Sequence, residues 1–109
     1  MQIELVQQHD DNPSCYRDTV PKGQEALHHV AIMAEDYEAA VASYIDQGFI
    51  EASGGFFGDV RFSYVDTTAA LGYMMEILEA KEALQRFFGS IAKASHTWDG
   101  NPATLIREM

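Results

Sequence analysis

A chain of 109 residues supports one domain with a modest single core. At 47% hydrophobic and 22% charged it has the balance of an ordinary soluble globular protein. A formal net charge of -10 with only seven Lys and Arg excludes a nucleic-acid-binding role and disfavours an anionic membrane surface. No apolar run approaches the roughly 20 residues of a membrane-spanning helix, and the N-terminus lacks a basic region followed by an apolar stretch. The single cysteine, Cys15, excludes an internal disulfide, so a reducing cytoplasm is the expected location. It lies in polar, turn-rich text without an adjacent base and reads as a bystander thiol.

In chain order, residues 2 to 8 read as a short strand, which Asp10-Asp11-Asn12-Pro13-Ser14 breaks. The polar stretch from 10 to 25 reads as a linker. Leu27 to Ala34 reads as a strand with His28, Val30 and Ile32 on one face and His29, Ala31 and Met33 on the other. Glu35 or Asp36 can cap a helix whose apolar stripe is Tyr37, Ala40, Val41, Tyr44 and Ile45. Gly48 is placed to end it. Phe49 to Phe57 and Val60 to Asp66 then predict a hairpin about Gly58-Asp59. After a turn from Thr67 to Gly72, a strand from Tyr73 to Glu79 is apolar on both faces and therefore central. A last helix from about Lys81 to Ala94 carries Leu84, Phe87, Phe88, Ile91 and Ala92 on its buried stripe. The text beyond it, through Trp98-Asp99-Gly100, is irregular.

The fold class is therefore α+β: a β-α-β-β-β module at 26–80, preceded by an N-terminal strand (1–9) and a linker (10–25). A C-terminal helix and tail follow at 81–109. A helix on one face of such a sheet leaves the other face free.

Two glutamates sit in apolar, strand-like runs: Glu4 in Ile3-Glu4-Leu5-Val6 and Glu76 in Met75-Glu76-Ile77-Leu78. Burying a carboxylate costs several kcal/mol unless it is paired or bound to a cation. His29 is the natural third member, giving His29, Glu76 and Glu4 as candidate metal ligands. Each also has a plainer reading. His29 can be a core histidine, Glu76 can pair with Arg61, and Glu4 can be solvated near the terminus. His28 reads as structural or at the rim, and His9 and His96 fall in loop-like text.

The order and spacing of these segments resemble the vicinal oxygen chelate superfamily of glyoxalase, bleomycin-resistance and dioxygenase-like proteins. His29-Val30-Ala31-Ile32 looks like the first strand of its module. Tyr73-Met74-Met75-Glu76-Ile77-Leu78-Glu79 looks like the fourth, which carries the metal-binding glutamate. Gln2-Ile3-Glu4-Leu5-Val6 looks like the last strand of a preceding module, and the likeness spans nearly the whole chain. Proteins of this kind pair two modules about one cup. Here, the resemblance implies either a homodimer in which each copy supplies one module or a piece of a longer chain.

What the resemblance implies chemically is a divalent ion (Zn, Mn, Fe, Co or Ni) at His29, Glu76 and Glu4, with Glu76 as the catalytic proton carrier. A neutral imidazole and two carboxylates neutralise such an ion and leave positions open for substrate. That suits a lyase, isomerase or epimerase acting on a small oxygen-rich substrate. It suits an iron dioxygenase less, since that triad takes two histidines and one carboxylate. The competing expectation is a metal-free, drug- or hydrophobe-binding protein of the bleomycin-resistance type. A vestigial half that only pairs with a partner is a third.

Overall fold

Strand periodicity between residues 29 and 79 resolves into one four-stranded sheet. The structure is a computed structural model describing residues 1–106. Residues 107–109 of the expected C-terminal tail lie outside the described residues. The chain forms two units, Leu5–Ala80 and a second made of Met1–Glu4 with the segment from Lys81 onward.

The first unit holds α1 (Cys15–Thr19), β1 (His29–Ala34), α2 (Tyr37–Asp46), β2 (Ile50–Phe57), β3 (Val60–Asp66), α3 (Thr68–Leu71) and β4 (Met74–Glu79). The sheet order is β1-β4-β3-β2. β1 runs parallel to β4, and the other two pairings are antiparallel. β4 is thus an interior strand, as its apolar character on both faces predicts. The α+β class and the β-α-β-β-β order are both present.

Local chemistry explains the boundaries. Asp36 caps α2 by accepting from Ala39 N at 3.0 Å, and Gly48, at φ +92°, lets the chain leave the helix. Gly58 at φ +62° makes the tight β2–β3 turn. α2 packs on β2, β3 and β4, and Tyr37 reaches Ser63 Oγ at 2.6 Å. Beneath it lies the core of Val65 and Ile77, both 0% exposed, with Met75 beside them. Side chains alternate along a strand. Tyr64 and Glu76, which are register partners, therefore project from the opposite face.

Two expectations are corrected. Residues 2–8 form no strand, and Ile3, Leu5 and Val6 are exposed. Strands are held by ladder hydrogen bonds and cross-strand contacts, and this segment makes no ladder among the described residues. The stretch from 10 to 25 is more than a linker, because it contains α1, capped by Ser14 Oγ on Arg17 N at 3.1 Å. Arg17 in turn ties down the carbonyls of Gln8 at 2.9 Å and Asp10 at 3.1 Å.

In the second unit α4 spans Glu82–Thr97, longer than the sequence suggested, and so contains His96. Its Nδ1 lies 2.7 Å from Ala92 O. Leu84, Phe88 and Ile91 are half-buried at helical spacing, whereas Phe87 and Ala92, expected on the same stripe, are exposed.

Candidate functional site

β1 and β4 lie side by side with Ala31 opposite Glu76 and His29 opposite Met74. Neighbours in a parallel ladder share a face. His29 and Glu76 therefore rise together from the face that α2 leaves uncovered. His29 Nε2 stands 3.4 Å from Glu76 Oε2, with the two side chains only 11% and 12% exposed. The imidazole and the carboxylate predicted to converge do converge.

The plainer reading of Glu76 does not hold. Arg61 sits on the helix side, bonding Glu38 at 2.6 Å and Glu79 at 3.3 Å, with its guanidinium 4.5 Å above the Tyr37 ring. Glu4 lies in the exposed N-terminal residues of the second unit, outside the sheet. Among the described residues no group of three or more His, Cys, Asp or Glu is placed to hold a metal ion. His9 is exposed and belongs to none of this.

Three side chains of the site were not singled out as functional from sequence. Tyr64 of β3 brings its ring to 5.1 Å from His29 and 5.5 Å from His28. Tyr16 of α1 places its hydroxyl 2.7 Å from the Tyr64 hydroxyl and its ring 4.3 Å from His28. His28, expected on the face with Val30 and Ile32, instead precedes the strand and turns toward His29, the two Nδ1 atoms lying 2.9 Å apart. Alternation holds only inside a strand, so its extension to residue 28 misassigned the side chain. The one signal available for Tyr16 was its aromatic character in otherwise polar text.

Burial governs the electrostatics. It pushes the Tyr64 phenol well above the ordinary tyrosine range, and the bond to Tyr16 and the charge of Glu76 push further the same way. Tyr64 therefore stays protonated and can donate. Burial also holds His28 below the usual histidine range, against the opposing pull of the Cys15 carbonyl, with His29 adding to the depression. The Cys15 thiol is raised by burial and by the charge of Asp18, which leaves it a poor nucleophile.

An ion held about 2.0–2.1 Å from nitrogen and 2.0–2.2 Å from oxygen, in tetrahedral geometry, keeps those atoms roughly 3.4 Å apart. The observed separation matches, so His29 and Glu76 fit as two ligands of such an ion. They fit a shared proton as well.

An edge-first four-stranded β-α-β-β-β sheet with an imidazole–carboxylate pair on its open face defines a glyoxalase-like module. A family model described as glyoxalase/bleomycin resistance protein/dioxygenase superfamily matches residues 1–64. The chain belongs to that superfamily. The matched span includes Glu4, His28 and His29 and ends at Tyr64, so Glu76 is assigned to the site by the sheet register and its approach to His29. No curated protein matches the chain.

Proposed function

We propose that this glyoxalase-like protein is a divalent-metal-dependent lyase, isomerase or epimerase acting on a small oxygen-rich molecule. The observation that carries the reading is the 3.4 Å approach of His29 Nε2 to Glu76 Oε2 beside the Tyr64 and Tyr16 rings. His29 and Glu76 would hold a Zn, Mn, Fe, Co or Ni ion. Since the described residues of one chain bring these two ligands together, the proposal is a homodimer, with Glu4 as the carboxylate contributed across it. When bound, the ion would supply the Lewis acidity that offsets negative charge on a substrate oxygen as a proton leaves the neighbouring carbon. Glu76 moves that proton, which requires a carboxylate whose pKa is matched to the working pH. Tyr64 keeps its own proton and orients Glu76 by donating to it. Tyr16 and the flanking rings exclude water. No helix among the described residues is long and apolar enough to cross a membrane; a cytoplasmic site of action is part of the same proposal.

The rows of aromatic rings support a second reading, a metal-free binding protein for a drug or other apolar ligand. Phe62 extends the wall, 5.8 Å from Tyr64 and edge-on to it. Metal analysis of untagged protein purified without chelator separates the two readings. The enzyme reading expects bound transition metal and a melting temperature that rises with added Zn²⁺ or Mn²⁺. Less than about a tenth of an equivalent, with no thermal shift, would leave the binding reading in its place. Sedimentation at micromolar concentration tests the dimer, and a stable, folded monomer would end that part.

A further inference from the structure

β1 is an outermost strand of the sheet, and among the described residues it pairs only with β4. α2 packs on β2, β3 and β4, and on the helix side of β1 Val30 and Ile32 stay 40% and 38% exposed. An edge strand presents a row of main-chain N–H and C=O groups to whatever can pair with them. His29-Val30-Ala31-Ile32-Met33-Ala34 carries none of the usual guards, neither Lys nor Pro nor a bulge. The opposite edge is guarded: β2 has a register shift between Glu51 and Ser53 and two adjacent glycines, Gly54 and Gly55.

The same chain carries a segment with the complementary need. Gln2-Ile3-Glu4-Leu5-Val6-Gln7 alternates like a strand yet lies in no ladder, with Ile3 79% and Leu5 94% exposed. Just beyond it, Arg17 ties the carbonyls of Gln8 and Asp10 at 2.9 and 3.1 Å, which holds the root of the segment at α1. Laid along a β1 edge, its parity is decided by the apolar residues. Ile3 and Leu5 share one face, as do Val30 and Ile32. Placing the two pairs side by side covers all four and sets Glu4 beside Ala31, whether the added strand runs parallel or antiparallel. On its other side Ala31 is the register partner of Glu76. Glu4 then rises on the open face two strand spacings from Glu76, about 9.5 Å between main chains. Only the Ala31 methyl stands between them, and His29 is the next side chain along that face of β1.

We propose that residues 2–7 of a second copy add to the outer edge of β1 as a fifth strand, with Ile3 and Leu5 covering Val30 and Ile32 and Glu4 entering the open face beside Ala31. Main-chain hydrogen bonds supply the affinity of such a strand addition, and the alternating side chains supply its register. β1 brings no carboxylate to the seam and the added segment brings only Glu4. Two chains of net charge -10 therefore meet along a line that carries almost none of it. Each copy gives one strand and receives one, a two-fold exchange that closes on itself. This pairing rests on the dimer of the proposed function, to which it gives an interface, and it needs no metal.

The test uses the full chain in a Cys15→Ala background, so that no other thiol competes. Glu4→Cys protein and Ala31→Cys protein are mixed, equilibrated and oxidised. Opposed Cα atoms on neighbouring strands stand about 4.5–5.5 Å apart, within disulfide reach, so a covalent heterodimer is expected. Glu51→Cys, on β2, should stay unlinked to Glu4→Cys. Absence of the Glu4–Ala31 product would overturn the proposal. So would a chain carrying both Glu4→Cys and Ala31→Cys that closes on itself as a monomer. In sedimentation, wild type should be a dimer at micromolar concentration. Leu5→Asp and Ile32→Asp should each weaken it by about 100-fold or more, because each would bury an unpaired charge in the seam. Far-UV circular dichroism should stay that of wild type, since Leu5 and Ile32 are exposed within one copy. A dimer that Leu5→Asp leaves intact would overturn the strand pairing and leave the homodimer reading standing. A Glu4–Ala31 cross-link in a protein with no thermal response to Zn²⁺ would end the metal reading and leave the strand pairing in place.

Discussion

Glu76 and Glu79 lie three residues apart on the same strand and on opposite faces of the sheet, and their partners differ in kind. Glu79 faces α2 and is met by Arg61, which also grips Glu38 and lies over Tyr37. A guanidinium cannot give up its proton, so that cluster keeps its cation at every working pH. Glu76 faces the open side and is met by an imidazole, whose nitrogen can carry a proton, lose it or bind an ion. Both carboxylates are mostly buried, and only one has a partner that can be exchanged. Burial alone therefore did not mark the site; the chemistry of the partner did.

The comparison is sharpened most by a change that should touch only the helix side. Ile77→Ala, at a fully buried position, is expected to cost about 2–5 kcal/mol in urea unfolding while leaving any zinc-induced thermal shift intact. Next comes Glu76→Gln, which should remove ligand-linked stabilisation worth about 2.7 kcal/mol at a hundredfold excess over Kd. Arg61→Met should lower the urea midpoint by removing the cation shared by Glu38 and Glu79, and should not alter zinc affinity. If Glu76→Gln kept its zinc response and Arg61→Met lost it, the roles of the two faces would be reversed.

The sheet was legible in sequence because its signals are local: alternation in β1 and β3, the doubly apolar run of β4, the Gly58-Asp59 turn, and the Asp36 cap with Gly48 closing α2. The face shared by His29 and Glu76 followed from that alternation plus the apolar character of both sides of β4. The remainder depends on contacts across long stretches of chain. Tyr16 and Tyr64 are 48 residues apart, and no pattern around Tyr16 says which ring it will meet. Ile3-Glu4-Leu5-Val6 has the alternation of a strand, yet a strand needs an edge to pair with, and sequence does not report whether one is within reach. His28 was misplaced for a related reason, since it lies just before β1, where alternation no longer fixes the side chain's direction.

A smaller effect, in pH, tests whether Tyr64 belongs with Glu76. Its phenol is raised chiefly by burial, so the folded state keeps that proton after the unfolded chain has lost it. The contribution is whole below the ordinary tyrosine value near 10 and declines as pH rises above it toward the higher folded value. Melts between about pH 8 and 11 should show stability falling at the alkaline end, with the fall reduced in Tyr64→Phe. An identical slope in the variant would mean that the phenol is open to water.

The smallest expected effect concerns Cys15, where main chain and side chain carry different weight. Its carbonyl holds His28, and its thiol contributes only packing and a raised pKa, from burial first and Asp18 second. Cys15→Ala should therefore stay within about 0.5 kcal/mol of wild type in urea unfolding. Alkylation of the native thiol at about pH 8 should run slower than that of a free cysteine, because less of it is thiolate. A Cys15→Ala protein destabilised well beyond that would move the weight from the carbonyl to the sulfur. That result would redraw the open face while leaving the Arg61 side as it is.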